Sequence, residues 1–432
     1  MPAMLPPKSI ALPYPGSVLD ALRDPAYVAL VAKEELRHGH IHLRSNDACE
    51  IRAGLKTLGE TLGWDTRVLD IPQYRTAEDW KVIHDTAMAA YFCRTWDNGI
   101  PALEPPQQFY IKMNYKCREL FRFDTPAERI THRVIVSVLQ GCREWPTNSH
   151  GYLPGRGVHT AIAHLSDIVR RGYRYFEVLD AENAFKSMKR DRVINTFGSA
   201  LRKQALTMGC TSKDADEAAA LAKIIDFHEV HSATALTLPA LCRGAMVDVS
   251  EYGLLPGLST SPPIFNFCLA RLDEMTANCA IRYADDWLIY GRTEAELEMA
   301  RNMVMEYGRD AYGLNIRSQT GVIDLRTDVL TFLGLETQID KNIIFIRISQ
   351  EKMDEIIETL SNILSENRYE KTLLGIIRYY CKYGWLTQKE IVELGHRLRK
   401  ALNRSVLVNS KRIKRLLRNQ QLNRFLCRAK TP

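Results

Sequence analysis

The sequence predicts an α+β fold, in which a central unit of strands and helices is flanked by helical segments. Apolar residues recur at three- to four-residue spacing towards both ends, which is typical of amphipathic helices. Short apolar runs rich in aromatic and β-branched residues lie in the middle, which is typical of buried strands. Of the 432 residues, 46% are hydrophobic and 25% are charged. This composition excludes disordered, collagen-like and coiled-coil chains.

The helical pattern covers residues 16–100 in segments joined by short polar breaks. It recurs over 127–142, after Val158 and from Glu294, and it continues from about residue 350 onward. We also expect residues 187–245 to be helical, although the pattern there is less regular.

Two apolar runs predict the central strands. The run YRYFEVLD has the composition of a buried strand and ends at Asp180. The run CAIRYADDWLIYG reads as two strands that meet at residues 284–286. Further strands are expected near residues 321–325 and 330–336.

The adjacent acids Asp285 and Asp286 are the strongest chemical signal in these runs. Two carboxylates this close repel each other, and burying them costs several kcal/mol unless a cation lies nearby. Mg²⁺ prefers oxygen ligands, and Asp180 would supply a third carboxylate. Three carboxylates can hold two metal ions about 3.5–4 Å apart. A turn whose aspartates face water explains the pair equally well when the pair is taken alone.

The net charge of +7 comes from the C-terminal segment. Residues 394–432 contain no acid and twelve basic residues, without which the net charge would be −5. These are Arg397, Arg399, Lys400, Arg404, Lys411, Arg412, Lys414, Arg415, Arg418, Arg424, Arg428 and Lys430. Such clusters favour a polyanionic partner such as nucleic acid. A solvated helix face is the alternative.

Neither a secretory leader nor a membrane span is expected. The first residues are interrupted by prolines, and no stretch approaches 18 consecutive apolar residues. The ten cysteines are dispersed without a CxxC pair, which argues against a zinc finger and a disulfide scaffold. We therefore expect reduced thiols, a cytoplasmic location and no membrane partner.

The order and content of the motifs resemble those of reverse transcriptases, most closely the group II intron-like bacterial lineage. The resemblance covers about residues 110–340. Its segments, in chain order, are 118–120 with 129–130, 149–162 (SHGYLPGRGVHTAI), 180–185 (DAENAF), 253–262 (GLLPGLSTSP) with Asn266, 282–286 (RYADD) and 332–334 (FLG).

The resemblance implies a right-hand polymerase with fingers, palm and thumb. Residues 1–105 would form a helical N-terminal extension and residues 106–175 the fingers. Residues 176–345 would form the palm, with a fingers insertion at about 190–250. Residues 346–432 would form a basic helical thumb that holds the template–primer duplex through its phosphates.

The same resemblance implies the site residues. Asp180, Asp285 and Asp286 would be catalytic and would bind two Mg²⁺ ions, with the carbonyl of Ala181 as a further ligand and Mn²⁺ as an alternative ion.

Lys116 and Arg118 would contact the triphosphate of the deoxynucleotide, although a solvated basic loop is the alternative. Phe185 would exclude the ribose 2′-hydroxyl, although core packing would also explain this aromatic residue. Gly257 would let the backbone approach the nascent base pair.

The implied function is RNA-directed DNA synthesis on an RNA template from a nucleic-acid primer. An RNA-dependent RNA polymerase and a non-catalytic RNA-binding scaffold or splicing helper are the alternatives. Bacterial anti-phage defence or a retroelement would be the biological setting. A dedicated noncoding RNA and self-association are further partner hypotheses, both assigned to residues 1–105.

Three positions depart from the family pattern. Pro256 stands where the family usually has glutamine, and Gln319 where it commonly has lysine; Arg317 is a candidate replacement for that cation. Lys186 stands where intron enzymes often carry an acid. These differences indicate a divergent specialist rather than a typical intron enzyme, and they leave fidelity and template preference open.

Overall fold

The structure, a computed structural model, describes part of the chain in detail. The described residues are 14–24, 26–28, 30–31, 56, 105–113, 116–123, 126–141, 143–233, 243–340, 343–361, 366–386, 390–391, 393–394 and 396–398. Most of the predicted N-terminal extension lies outside these residues. So does the basic segment after residue 398.

The described residues form runs of helices and runs of strands, as expected for an α+β fold. The helices are α1 (Val18–Arg23), α2 (Pro126–Gly141), α3 (Val158–Arg170), α4 (Ala184–Ser187), α5 (Arg190–Thr207), α6 (Ser212–Ala220), α7 (Ser261–Met275), α8 (Glu294–Tyr307), α9 (Gln350–Ser361) and α10 (Glu366–Lys382), with a 3₁₀-helix at Leu221–Ile225 and a π-helical turn at Gly308–Tyr312. The strands are β1 (Gln107–Met113), β2 (Lys116–Arg122), β3 (Tyr175–Ala181), β4 (Glu229–Ala233), β5 (Arg243–Asp248), β6 (Ala280–Tyr283), β7 (Asp286–Gly291), β8 (Ile316–Ser318), β9 (Ile323–Asp324), β10 (Leu330–Phe332), β11 (Leu335–Asp340) and β12 (Ile343–Ile348).

The central sheet has the strand order β6-β7-β3-β8, with β9 also paired to β3, and its pairs are antiparallel. Because side chains alternate along a strand, β3 faces two apolar clusters. Leu179 and Ala181 pack in a cluster with α2, α5, α7 and α8. Phe176 and Val178 pack in a second cluster with α3, α9 and α10. The sheet is therefore covered by helices on both faces.

The second sheet corrects a prediction. Its order is β2-β1-β4-β5, so residues 229–233 are a strand and residues 243–245 begin another within the stretch 187–245 that we expected to be helical. These short strands mix polar and apolar residues and lack a regular strand pattern. Pairing of β4 with the distant strand β1, and of β5 with β4, stabilises them, and sequence periodicity does not report such contacts.

The third sheet has the order β10-β11-β12 and leads into α9. Strands β9, β10 and the start of β11 lie where they were predicted, whereas β12 was not anticipated. Helix α9 begins at Gln350, as the pattern indicated, and α3 begins at Val158.

The described N-terminal residues are part of the core. Val18 and Leu22 of α1 are buried in the same cluster as α2 and α5. The side-chain amide of Gln204 accepts a hydrogen bond from the N–H of Val18 (3.2 Å) and donates one to the carbonyl of Gly16 (3.0 Å). Residues 16–22 are therefore held against α5 by both polar and apolar contacts.

Two expectations from the sequence, on membrane-spanning segments and on the state of the cysteines, can be compared with the described residues. None of the described helices combines the length and apolar character that a membrane crossing needs. Cys210, Cys268, Cys279 and Cys381, all described, are free thiols.

Candidate active site

Three acids meet at one end of the central sheet. Asp180 of β3 lies directly opposite Asp286 of β7 in the antiparallel register. Such opposed residues have Cβ atoms about 4.5–5.5 Å apart. Asp285 lies in the turn between β6 and β7, and its carbonyl accepts a hydrogen bond from the N–H of Ala181 (3.2 Å). The structure thus brings together the acids that the sequence singled out.

The acids are partly removed from water and repel one another. Burial, reinforced by the charges of Asp285 and Asp180, raises the pKa of Asp286 to about 7. Burial also raises the pKa of Asp285, an effect that Asp180 increases and that the cations of Arg118 and Arg282 oppose. Concentrated negative charge of this kind is stabilised by a cation.

The chemistry of these side chains suits a hard divalent ion, because carboxylate oxygens are its preferred ligands. As placed, no three His, Cys, Asp or Glu side chains among the described residues already form a metal-binding group.

A buried arginine supports the turn that carries Asp285. The guanidinium of Arg282 is fully buried and forms a two-point ion pair with Asp273 of α7 (2.7 and 2.6 Å). Its remaining N–H groups donate to Asn266 Oδ1, the Ala284 carbonyl and Ser149 Oγ, each at 2.9 Å. All five donors of the guanidinium are therefore satisfied.

The loop before α3 lies alongside β6. The N–H of Arg282 donates to the carbonyl of Asn148, and the N–H of His150 donates to the carbonyl of Arg282, both at 2.8 Å. A Cβ atom on Gly151 would lie 2.1 Å from the backbone nitrogen of Ala284. Only glycine permits this approach, which places residue 152 beside the acids.

A sequence profile described as "Reverse transcriptase (RNA-dependent DNA polymerase)" matches residues 114–337, just over half of the chain. The chain belongs to the reverse transcriptase family. This confirms the predicted α+β polymerase fold and the enzyme class, an RNA-directed DNA polymerase. Reverse transcriptases act on RNA templates and use divalent metal ions.

Two solved structures share broad likeness with this reverse transcriptase. Telomerase from Candida albicans, in complex with the TWJ fragment of telomeric RNA, has 11% identity and a TM-score of 0.42, over 80% of this chain and 67% of that one. The Sicinivirus 3Dpol RNA-dependent RNA polymerase has 12% identity and a TM-score of 0.42, over 69% of this chain and 64% of that one. The chain thus spans about two thirds of the length of each. No match was found among curated protein sequences.

The basic residues predicted to bind nucleotide lie on β2 of this reverse transcriptase. Arg118 is exposed, pairs with Ile111 in the β1–β2 register, and lies near enough to Asp285 to lower its pKa. Lys116 pairs with Met113 at the start of β2, and its side chain lies outside the described residues. The structure therefore places one of the two cations beside the acids.

Phe185 and Gly257 have different surroundings. Phe185, in α4, is half-buried, with its ring 5.2 Å from that of Phe265 and 6.3 Å from that of Tyr152. Gly257 has a φ of +98°, and a Cβ there would lie 2.7 Å from the carbonyl oxygen of Phe121. Close packing of this loop against β2 is thus a sufficient reason for the glycine.

The residues that depart from the family pattern form hydrogen bonds in the structure. Lys186 donates to the hydroxyl of Tyr252 (3.0 Å), which in turn donates to Glu119 of β2. The carbonyl of Pro256 accepts a hydrogen bond from the N–H of Phe121 (2.7 Å).

Arg317, the candidate replacement for the missing lysine, lies opposite Asp180 in the β3–β8 register. Its guanidinium forms an ion pair with Glu182 at 2.5 Å, and both side chains are partly exposed. The N–H of Gln319 donates to the carbonyl of Val178 (2.8 Å).

Sequence reasoning did not single out Asp273, Tyr152 or Tyr252. Asp273 could have been noticed as an acid in the largely apolar helix α7. Tyr152 lies in the 149–162 segment of the family resemblance but was given no role, and Tyr252 carries no such signal. Their positions beside the acids and β2 depend on long-range packing.

Arg282→Met tests the buried ion pair. The substitution leaves the charge of Asp273 buried without a partner, so we expect the free energy of unfolding to fall by about 3–5 kcal/mol. Denaturant unfolding measures the change. The matched control Arg23→Met removes an exposed ion pair with Glu217 and should cost at most about 1 kcal/mol. If Arg282→Met were as stable as the wild type, this account would be contradicted. Adding Asp273→Leu to Arg282→Met should restore the lost stability.

Asp286→Asn tests the electrostatic repulsion. Because the pKa of Asp286 is raised to about 7, the folded state retains a proton that the unfolded chain has already lost. The wild type should therefore lose stability as pH rises from about 4 to about 7. In chelator-treated protein, thermal unfolding should show a higher Tm for Asp286→Asn than for wild type at pH 8, with a smaller difference at pH 5. The exposed control Asp191→Asn should follow the wild type; a pH-independent effect of Asp286→Asn would argue against repulsion.

Proposed function

We propose that this reverse transcriptase copies RNA into DNA by two-metal phosphoryl transfer at Asp180, Asp285 and Asp286. The observation that carries the proposal is the register that sets Asp180 against Asp286, with Asp285 at the adjoining turn. Mutual repulsion and burial of these carboxylates give the site a physical need for divalent cations. We take Mg²⁺ as the ion, with Mn²⁺ as a substitute.

The chain's own groups have separate tasks in this mechanism. The three carboxylates, with the carbonyl of Ala181, would hold two divalent ions at this end of the sheet. Such ions would supply activation of the primer hydroxyl and stabilisation of the leaving pyrophosphate. Arg118 presents a cation to the triphosphate from the β2 side, and Lys116 is the second candidate for that task. Arg282 fixes the backbone that carries Asp285.

Nucleotide selection is assigned to Phe185 and Gly257. The ring of Phe185 packs on Phe265, so its position is constrained from behind. A constrained ring under the sugar leaves no room for a 2′-hydroxyl, which favours deoxynucleotides. The backbone at Gly257 would approach the nascent base pair from the loop that contacts β2.

We propose the following domain division: residues 1–105 as an N-terminal extension, 106–175 as fingers, 176–345 as palm and 346–432 as thumb. The second sheet supports placing the 190–250 insertion with the fingers, because β4 and β5 extend the sheet begun by β1 and β2. The basic residues 399–432 lie outside the described residues, and we assign them to duplex binding on their charge alone.

The biological setting is inferred from the motifs. Their order favours a group II intron-like bacterial lineage. We propose a role in bacterial anti-phage defence or in a retroelement, in the cytoplasm. The partners would be an RNA template, a nucleic-acid primer and deoxynucleoside triphosphates, with a dedicated noncoding RNA or a second copy bound through residues 1–105. An intron surrounding the gene would count against the defence role.

The double variant Asp285→Asn/Asp286→Asn tests the chemistry. The change removes both charges but keeps side-chain size, so Mg²⁺-dependent incorporation of deoxynucleotides on an RNA template should fall to background. Primer extension by purified protein measures it, with Asp191→Asn as the control that retains activity. Undiminished synthesis would refute the mechanism. Full biological activity of the inactive variant would favour the scaffold hypothesis.

Phe185→Ala tests sugar selection. Removing the ring opens space at the 2′ position, so incorporation of ribonucleotides relative to deoxynucleotides should rise about tenfold or more. Competition between the two nucleotide classes in primer extension gives the ratio. A wild type that already prefers ribonucleotides would contradict the assignment and favour an RNA-dependent RNA polymerase.

A further inference from the structure

We propose that Tyr152 contacts the incoming nucleotide, its ring forming with Phe185 an aromatic wall beside the three acids. The inference rests on the proposed function and adds a residue that determines nucleotide affinity.

The backbone at Tyr152 is in a conformation that its side chain disfavours. Its φ is +59°, a left-handed value that is rare for non-glycine residues and a true outlier for bulky ones. Residues held in this way persist when the surrounding structure determines them, and they concentrate at functional sites. A glycine at position 152 would adopt this φ without strain, so the presence of a tyrosine side chain there needs an explanation.

Several contacts enforce the conformation. The preceding residue, Gly151, packs against the backbone of Ala284. The side-chain amide of Gln140 donates to the carbonyl of Tyr152 (3.0 Å), and that of Asn266 donates to the carbonyl of Gly151 (2.9 Å). Backbone contacts therefore place residue 152 without help from its ring.

Core packing does not account for the ring. Tyr152 is 41% exposed, whereas Gly151 and Leu153 on either side are buried. The exposed ring has specific surroundings: its centroid is 6.3 Å from that of Phe185. Asp285 and Asp286 lie close enough to raise the pKa of its phenol further than burial already does. A tyrosine phenol, with an ordinary pKa of about 10, is neutral at physiological pH and can donate a hydrogen bond.

The two aromatic rings and the neighbouring acids together indicate the class of ligand. Two aromatic rings offer an apolar surface to a sugar and base, while the acids beside them need cations. Arg118 adds an exposed positive charge near Asp285, in addition to the buried Arg282. A nucleoside triphosphate with its divalent ions has the matching distribution: a flat apolar end and a charged end.

Tyr152→Gly is the decisive variant, because glycine suits the positive φ and leaves only the ring missing. We expect an unchanged or higher Tm together with about tenfold weaker binding of the correct deoxynucleotide, the loss typical of one removed aromatic stacking contact. The measurements are KM in primer extension and the Kd of a non-hydrolysable deoxynucleoside triphosphate analogue on the protein–template–primer complex. Tyr152→Phe should recover most of the affinity lost in Tyr152→Gly.

Leu333→Gly is the matched control, because Leu333 also has a positive φ (+53°) and lies in the turn between β10 and β11. Its nucleotide affinity should equal that of the wild type. Unchanged KM and Kd in Tyr152→Gly would overturn this inference and leave the proposed function intact. A wild type that incorporates no deoxynucleotide would overturn both.

Discussion

The acidic turn of this reverse transcriptase depends on one buried guanidinium. Burying an arginine is unfavourable by several kcal/mol unless its charge is paired and every donor finds an acceptor. Arg282 meets both conditions, through Asp273, Asn266, Ser149 and the carbonyl of Ala284. These acceptors come from helix α7, the loop before α3 and the turn itself. The position of Asp285 is therefore fixed by contacts between segments that are distant in sequence, and a change in any of them acts on the acids.

The same region carries unfavourable electrostatics that the rest of the fold must offset. Asp285 and Asp286 have raised pKa values because they are partly buried next to each other and to Asp180. Apolar packing on both faces of the central sheet supplies the compensating stability. Sites of this kind are retained because function requires them, at some cost in stability. The left-handed backbone of Ala284, at φ +58°, belongs to the same strained turn.

Local sequence patterns predicted the elements that carry the acids. The apolar runs ending at Asp180 and flanking Asp285 became β3, β6 and β7, because buried strands need such runs wherever they lie in the fold. The strands β4 and β5 were missed because their sequences are mixed, and pairing with β1 and with each other stabilises them. Asp273 was missed for a related reason: its partner Arg282 becomes its neighbour only after folding. Tertiary contacts thus determine these two strands and this ion pair, which sequence periodicity could not predict.

Two residues that depart from the family pattern, Pro256 and Lys186, are connected to β2 by the loop that joins β5 to α7. The carbonyl of Pro256 accepts the hydrogen bond from Phe121 of β2, so the loop needs an acceptor there and no N–H. Proline supplies that acceptor and lacks only the donor, which explains why it is tolerated. Lys186, next to Phe185, reaches Glu119 of β2 through the hydroxyl of Tyr252. An acid at position 186 would instead repel Glu119. Strand β2, which presents Arg118, is therefore coupled to the Phe185 segment by a polar contact that depends on the Lys186 side chain.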